Sequence, residues 1–333
     1  SSTFFNQFSD SGVTYYFTED SNNDVTITSA VSSTGSSATI ADITIPGSFT
    51  VAGVVHTIRH IGSSAFYNNN ITSTGTLTIP ASVTSIASQA FQQTGFQTVT
   101  FAAGSVLDTI GSIAFAETNI TSIIIPASVT SIGNSAFGYC TSLASVTFAA
   151  GIQLATIGDN VFGYSGITSI IIPASVTEIG TNAFVRCSSL ASVIFAAGSV
   201  LTTIGEYAFY DSSLASVTFA AGIQLATIGN YAFQATDITS IIIPASVTSI
   251  GLQAFTQCSV LASVTFDDIE NSGLLEIGRS AFSSCGALTS IIIPASVHTI
   301  GIWAFSYSSG LTSVTFIEST DWATGISIGT GAF

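Results

Sequence analysis

From Ala65 to Phe333 the chain repeats one short phrase twelve times, and its clearest copy, Ile120 to Phe137, reads Ile-Thr-Ser-Ile-Ile-Ile-Pro-Ala-Ser-Val-Thr-Ser-Ile-Gly-Asn-Ser-Ala-Phe. A unit this short with a fixed apolar pattern cannot bury its own hydrophobic face, so neighbouring copies must stack and share one core. The phrase therefore predicts a solenoid. Each copy is marked by the phenylalanine of an Ala-Phe or Val-Phe pair: Phe66, Phe91, Phe115, Phe137, Phe162, Phe184, Phe209, Phe233, Phe255, Phe282, Phe305 and Phe333. The mean spacing of about 24 residues lies in the leucine-rich-repeat range. In Leu143-Ala-Ser-Val-Thr-Phe148, Val146 and Phe148 share one strand face, and Ser145 and Thr147 point the other way.

Two kinds of copy interleave. The first ends its strand in Ile-Pro (Pro46, Pro80, Pro126, Pro173, Pro244, Pro294), and the second ends in Phe-Ala-Ala-Gly with two more residues before the next Ile-Gly. Proline lacks a ladder N–H, so it marks the corner where the chain leaves the sheet. The alternation breaks once, where the copies starting at Leu190 and Leu214 are both of the second kind. The segment from Leu143 to Gly158 is identical to that from Leu214 to Gly229, and Cys187 recurs as Cys258, both at an offset of 71 residues. An internal duplication of a three-copy block accounts for the seam.

Residues 1–37 do not fit the repeat. Gly12-Val-Thr-Tyr-Tyr-Phe-Thr and Val25-Thr-Ile-Thr flank Glu-Asp-Ser-Asn-Asn-Asp, which reads as a hairpin capping the first coil, with the solenoid running over 38–333. The far end, Gly-Ala-Phe333, lacks the polar cap expected of a terminal repeat, so either the native chain continues or another molecule covers it. With Ser at residue 1 and no methionine anywhere, the sequence reads as processed or excerpted.

Eighteen acids face three arginines and no lysine, for a net charge of −15. Nucleic-acid binding is disfavoured by this balance, as is docking on an anionic membrane. Only 6% of residues are charged and 47% are apolar, so solubility rests on Ser, Thr, Gly and Asn, a bias that suits a secreted or cell-surface protein. No run of 18 apolar residues is present, so no transmembrane segment is read in this chain.

The phrase Ile-Pro-x-Ser-Val-Thr-x-Ile-Gly-x-x-Ala-Phe-x-x-Cys, at 172–187 and 243–258, resembles the BspA-like leucine-rich repeats. The resemblance covers about 38–333. It implies a mainly β, leucine-rich-repeat solenoid of about 12 coils, found in cell-surface or secreted proteins associated with adhesion and matrix or host-protein binding, without catalysis. The absence of lysine and the recurrent Ala-Ala-Gly corners depart from many relatives.

Cys140, Cys187, Cys258 and Cys285 each fall three positions after the marker phenylalanine. In the family this position is small and turned inward, so these read as buried thiols; a bridge between Cys258 and Cys285, in adjacent coils, is the alternative. His56, His60 and His298 are scattered, and no Ser-His-Asp or Cys-His set is recoverable, so no catalytic, cofactor or metal residues are assigned. Asp267, Asp268, Glu270, Asn271 and Glu276 read as a solvated acidic loop, with oxygen ligation of calcium as the alternative. Asp20, Asn22 and Asp24 read as a hairpin turn, since Val25 stands where a calcium loop needs glycine.

The outward strand column is the candidate contact face. It comprises Ile124, Thr147, Ile171, Ile194, Thr218, Ile242, Thr265, Ile292 and Thr315, flanked by Ser122, Ser145, Ser169, Ser192, Ser216, Ser240, Ser263, Ser290 and Ser313. A flat, uncharged, β-branched stripe of this extent reads as an interaction face, or as β-propensity copied by duplication. A second column, Tyr139, Tyr164, Arg186 and Asp211, invites cation–π and ion-pair contacts between coils. Tyr139, Tyr164, Tyr207, Tyr231 and Trp303 are candidate aromatic contacts to sugar or protein, and Asn70 and Asn119 open N-glycosylation sequons.

The sequence thus leads to a non-enzymatic extracellular or cell-surface repeat protein with a Ser/Thr/Ile face for adhesion or protein contact. Alternatives are the protomer of a self-assembling extracellular filament, joined end to end, and ice or glycan binding. No cofactor and no nucleic-acid partner are expected.

Overall fold

The computed structural model describes residues 6–33, 42–67, 74–318 and 325–333. Among these there is no α-helix; the fold is a β-solenoid of about 11 turns. The chain divides into two compact units, Ser1–Leu154 with Val161–Ile167 and Ala155–Asn160 with Thr168–Phe333. Eleven two-residue strands, from Ser85–Ile86 to Ser327–Ile328, mark the successive turns. The sequence expects twelve coils, and the difference lies at Phe66. That marker follows an eight-residue strand shared with the N-terminal sheet, in place of a two-residue one.

In the first unit, β1 (Gln7–Asp10), β2 (Val13–Glu19) and β3 (Asp24–Ser32) form an antiparallel meander, and β3 joins β6 (Val54–Ile61) in parallel. The turn between β2 and β3 is closed by Asp20, whose Oδ1 accepts the amides of Asn22 at 2.8 Å and Asp24 at 3.1 Å. That carboxylate serves the turn itself. After β4 (Ile43–Thr44), a second hairpin that the sequence reading missed pairs β5 (Ser48–Val51) with β6. Its tip, Ala52-Gly53, takes φ of 48° and 82°, the doubly left-handed turn that suits the strand twist. The rings of Phe8, Phe17, Phe49 and His56 pack on one another, and His56 Nδ1 lies 3.0 Å from Glu19 Oε2. Buried Tyr15 meets Phe66 edge-on at 6.4 Å, so the meander closes this end of the phenylalanine stack.

The marker phenylalanines form that stack. From Phe66 to Phe162 in the first unit, ring centroids step by 4.7, 5.1, 5.5 and 5.6 Å. From Phe184 to Phe305 in the second they step by 5.1 to 5.4 Å, and half-exposed Phe333 lies 5.3 Å beyond. Each such pair contributes about 0.5–1.5 kcal/mol beyond its burial. The Ile-Gly element of the phrase has a steric cause. A Cβ on Gly133 would sit 2.4 Å from the backbone N of Ser112, and one on Gly301 would sit 2.5 Å from that of Arg279.

Around each phenylalanine the chain makes no regular strand, yet its amides are satisfied. In the Phe91 corner the N–H groups of Gln89, Phe91 and Gln93 donate to Ser112, Ala114 and Ala116 of the next coil at 2.8–3.0 Å. Those of Ala90, Gln92 and Thr94 close back onto Ala87, Gln89 and Phe91 at 3.2–3.3 Å. This alternation places the residues two before and two after the phenylalanine at positive φ, as at Gln89 (59°) and Gln93 (58°). The left-handed region costs a non-glycine residue roughly 1–2 kcal/mol, and the bonded ladder holds it there.

Candidate contact surface

The short parallel strands place the alternation as expected: Ile123 and Ile125 are buried, while Ser122 and Ile124 face solvent. Ser122 and Ile124 register against Ser145 and Thr147 in the first unit. In the second, Ser169 and Ile171 register against Ser192 and Ile194, which continue to Ser216 and Thr218. Ser240 and Ile242 lie against Ser263 and Thr265, and Ser290 and Ile292 against Ser313 and Thr315. All eighteen residues of the column and its flank are exposed except Ser192, which is half-buried. Ile124, Ile171 and Ile242 are the most open isoleucines, at 63%, 60% and 58%. The register also adds exposed Thr98, paired with Ser122, to the flank, a residue outside the sequence-derived column.

The ladder is not uniform. Steps from a copy ending in Ile-Pro into one ending in Phe are registered over four residue pairs, as between Ser122–Ile125 and Ser145–Phe148 or Ser240–Ile243 and Ser263–Phe266. The residue after that Phe then closes the rung: Ala149 N–H donates to Ile125 at 2.9 Å and Asp267 N–H to Ile243 at 2.9 Å. Three steps into a copy ending in Ile-Pro are looser. Thr98–Phe101 and Ser122–Ile125 share one registered pair, and no pairing links Ser216–Thr218 to Ser240–Ile243 or Ser263–Phe266 to Ser290–Ile293. At the closing position stands Pro126, Pro244 or Pro294, which has no N–H to donate. The strands part there, and clefts open. One, of about 390 Å³, is lined by Phe101, Ile124 and Pro126; another, of about 310 Å³, by Phe219, Ile242, Pro244 and Asp267.

Of the aromatic candidates, Tyr139 and Tyr164 stack on each other at 4.5 Å in the first unit, and Tyr207 and Tyr231 do so at 4.5 Å in the second. Trp303 instead lies under the guanidinium of Arg279, 4.8 Å from the ring centroid, a contact the sequence reading did not anticipate. Arg186 and Asp211 form an ion pair at 3.1 Å. Asn119 is exposed, and Asn70 lies outside the described residues.

The four cysteines are buried free thiols. Cys140 and Cys258 donate to the carbonyls of Phe115 and Phe233 at 3.0 and 3.1 Å. Thr94, Thr118, Ser212 and Thr236 occupy the same rank and bond their own phenylalanine carbonyls at 2.7–2.8 Å. The rank thus needs a small donor, and thiol and hydroxyl both supply it. Burial pushes the Cys258 thiol up to about 11 and raises that of Cys140. His60 Nδ1 lies 2.7 Å from Ser85 Oγ. In the acidic loop, the Asp268 carboxylate accepts from the side chain and amide of Asn271, which lowers its pKa. Among the described residues no group of three or more His, Cys, Asp or Glu is placed to hold a metal ion, and no helix is long and apolar enough to cross a membrane.

The sequence matches the family described as "BspA type Leucine rich repeat region (6 copies)" over residues 13–115, 59–190, 108–227, 155–268 and 226–333. The chain belongs to the BspA-type leucine-rich repeat family. Solved structures similar to this BspA-type chain include the pneumococcal vaccine antigen PcpA, 18% identical with a TM-score of 0.49 over 95% of this chain and 89% of that one. A leucine-rich cell surface protein from Faecalibacterium prausnitzii is 26% identical, with a TM-score of 0.48 over 96% of this chain and 97% of that one. A leucine-rich repeat protein from Bacteroides ovatus is 22% identical, with a TM-score of 0.43 over 98% and 91%. No curated protein matches the BspA-type chain.

Proposed function

We propose that this protein is a non-enzymatic repeat protein of the cell surface or extracellular space, and that it holds a protein partner against its outward Ser/Thr/Ile stripe. The observation that carries this reading is the rank of exposed isoleucines, Ile124 in one unit and Ile171, Ile242 and Ile292 in the other, among hydroxyls and without a charge. Apolar area set in an uncharged rim is the composition of a contact surface. Family membership supports a scaffold for protein contact, since what such a solenoid repeats is surface.

The test is an array of immobilised extracellular proteins and glycans probed with the labelled chain and with an Ile171→Asp/Ile242→Asp variant. Capture by one or more proteins that the variant loses is the expected result. Capture by glycans alone, or equal capture by the variant, would overturn the reading. Analytical ultracentrifugation of the same samples separates partner binding from self-association, and concentration-dependent polymers would favour the filament alternative.

A further inference from the structure

The two clefts opened by prolines occupy the same place in the phrase but differ at one wall. In the second unit, the residue that follows the next Phe-type strand is Asp267, and it lines the cleft. In the first unit the corresponding residue, after Ser145–Phe148, is Ala149. After the equivalent phenylalanines the chain carries Ala102, Ala149, Ala196, Ala220 and Ile317, so Asp267 alone brings a charge to this position.

We propose that the Asp267 cleft receives the side chain of a lysine or arginine presented by a protein partner; this deepens, and rests on, the reading of the strand face as protein-binding. Phe219, Ile242 and Pro244 give it apolar walls along which an aliphatic stem packs while its charged head stays near water. Exposed Asp267 supplies a carboxylate to meet that head. Pro244 offers no N–H to the Phe219 carbonyl, and both residues line the cleft. The chain has no cation of its own for this site. It contains no lysine, and its three arginines are placed elsewhere: Arg59 on Asp24 at 3.3 Å, Arg186 on Asp211 at 3.1 Å and Arg279 over Trp303. The net charge of −15 further favours approach by a basic partner.

The test uses the full ¹⁵N-labelled chain and two probes, N-acetyl-lysine methylamide and the uncharged N-acetyl-norleucine methylamide, titrated at low salt. The lysine probe should shift the amides of Phe219, Ala220 and Ile242 saturably, about fivefold more tightly than the norleucine probe. Asp267→Asn should bring lysine down to the norleucine level, with an unchanged spectrum away from the cleft to show that the fold is intact. Equal binding of the two probes, or unchanged lysine binding by Asp267→Asn, would overturn the proposal. If Ile171→Asp abolishes partner capture while the lysine probe ignores Asp267, the face stands and the cation site falls.

Discussion

Two steps of the same sheet, only one copy apart, teach how this phrase works. Between Ser122–Ile125 and Ser145–Phe148 the ladder is closed along its length, but between Thr98–Phe101 and Ser122–Ile125 it is held at one registered pair. The apolar residues facing inward are equivalent on both sides, so hydrophobic stacking cannot be the cause. What differs is the residue after the strand, alanine with an N–H in one case and proline without it in the other. The coil pitch is set by the phenylalanine stack and the glycine rank, while at these two steps sheet closure follows the donor after the strand.

Changes that attack the pitch should damage both kinds of step alike and give the largest effects. Phe137→Ala removes a fully buried ring from the stack and should cost about 3–5 kcal/mol, read as a lower midpoint in urea unfolding. Gly133→Ala forces a Cβ against the backbone of the preceding coil, for about 1–3 kcal/mol in the same measurement. If either variant loosened only the strands and spared the corners, pitch and closure would not be separable.

The thiol rank sharpens the comparison through pH. Cys258 has a folded pKa raised to about 11 by burial, above the value of about 8.5 for an unfolded thiol. The folded state therefore binds more protons between these values, and the stability this confers, full below the unfolded pKa, is lost as pH rises through the folded one. Urea midpoints should fall over that window, and Cys258→Ser should flatten the fall. A smaller effect, of opposite sign, is expected at Ile113, a β-branched residue held at φ of 61°. Ile113→Asn should stabilise by about 1 kcal/mol, because asparagine tolerates that conformation.

Much of this was legible in the sequence. Stacking, the strand alternation and the outward column follow from an apolar period that no isolated unit can bury, and the hairpin around Asp20 to Asn23 follows from its turn residues. The left-handed corners were not legible, since residues as different as Gln93, Tyr139 and Arg186 occupy them and only the intercoil ladder dictates the conformation. Nor were the clefts: each Ile-Pro read as a strand end, and nothing in the phrase says at which of them the ladder opens. The β5–β6 hairpin did leave a signal, Ala52-Gly53 between the runs Phe49-Thr-Val51 and Val54-Val-His-Thr-Ile58, that the repeat overshadowed.

The most direct test of proline as the opener of the ladder is amide hydrogen exchange in a Pro126→Ala variant. The substitution places an N–H opposite the carbonyl of Phe101 and leaves the core untouched. If the missing donor is the cause, the new amide at position 126 should be protected to the degree of Ala149, and the neighbouring amides of Ile124 and Ile125 should slow with it. Exchange at position 126 at the rate of an unprotected amide would contradict the account and assign the opening to the longer Ala-Ala-Gly corner instead.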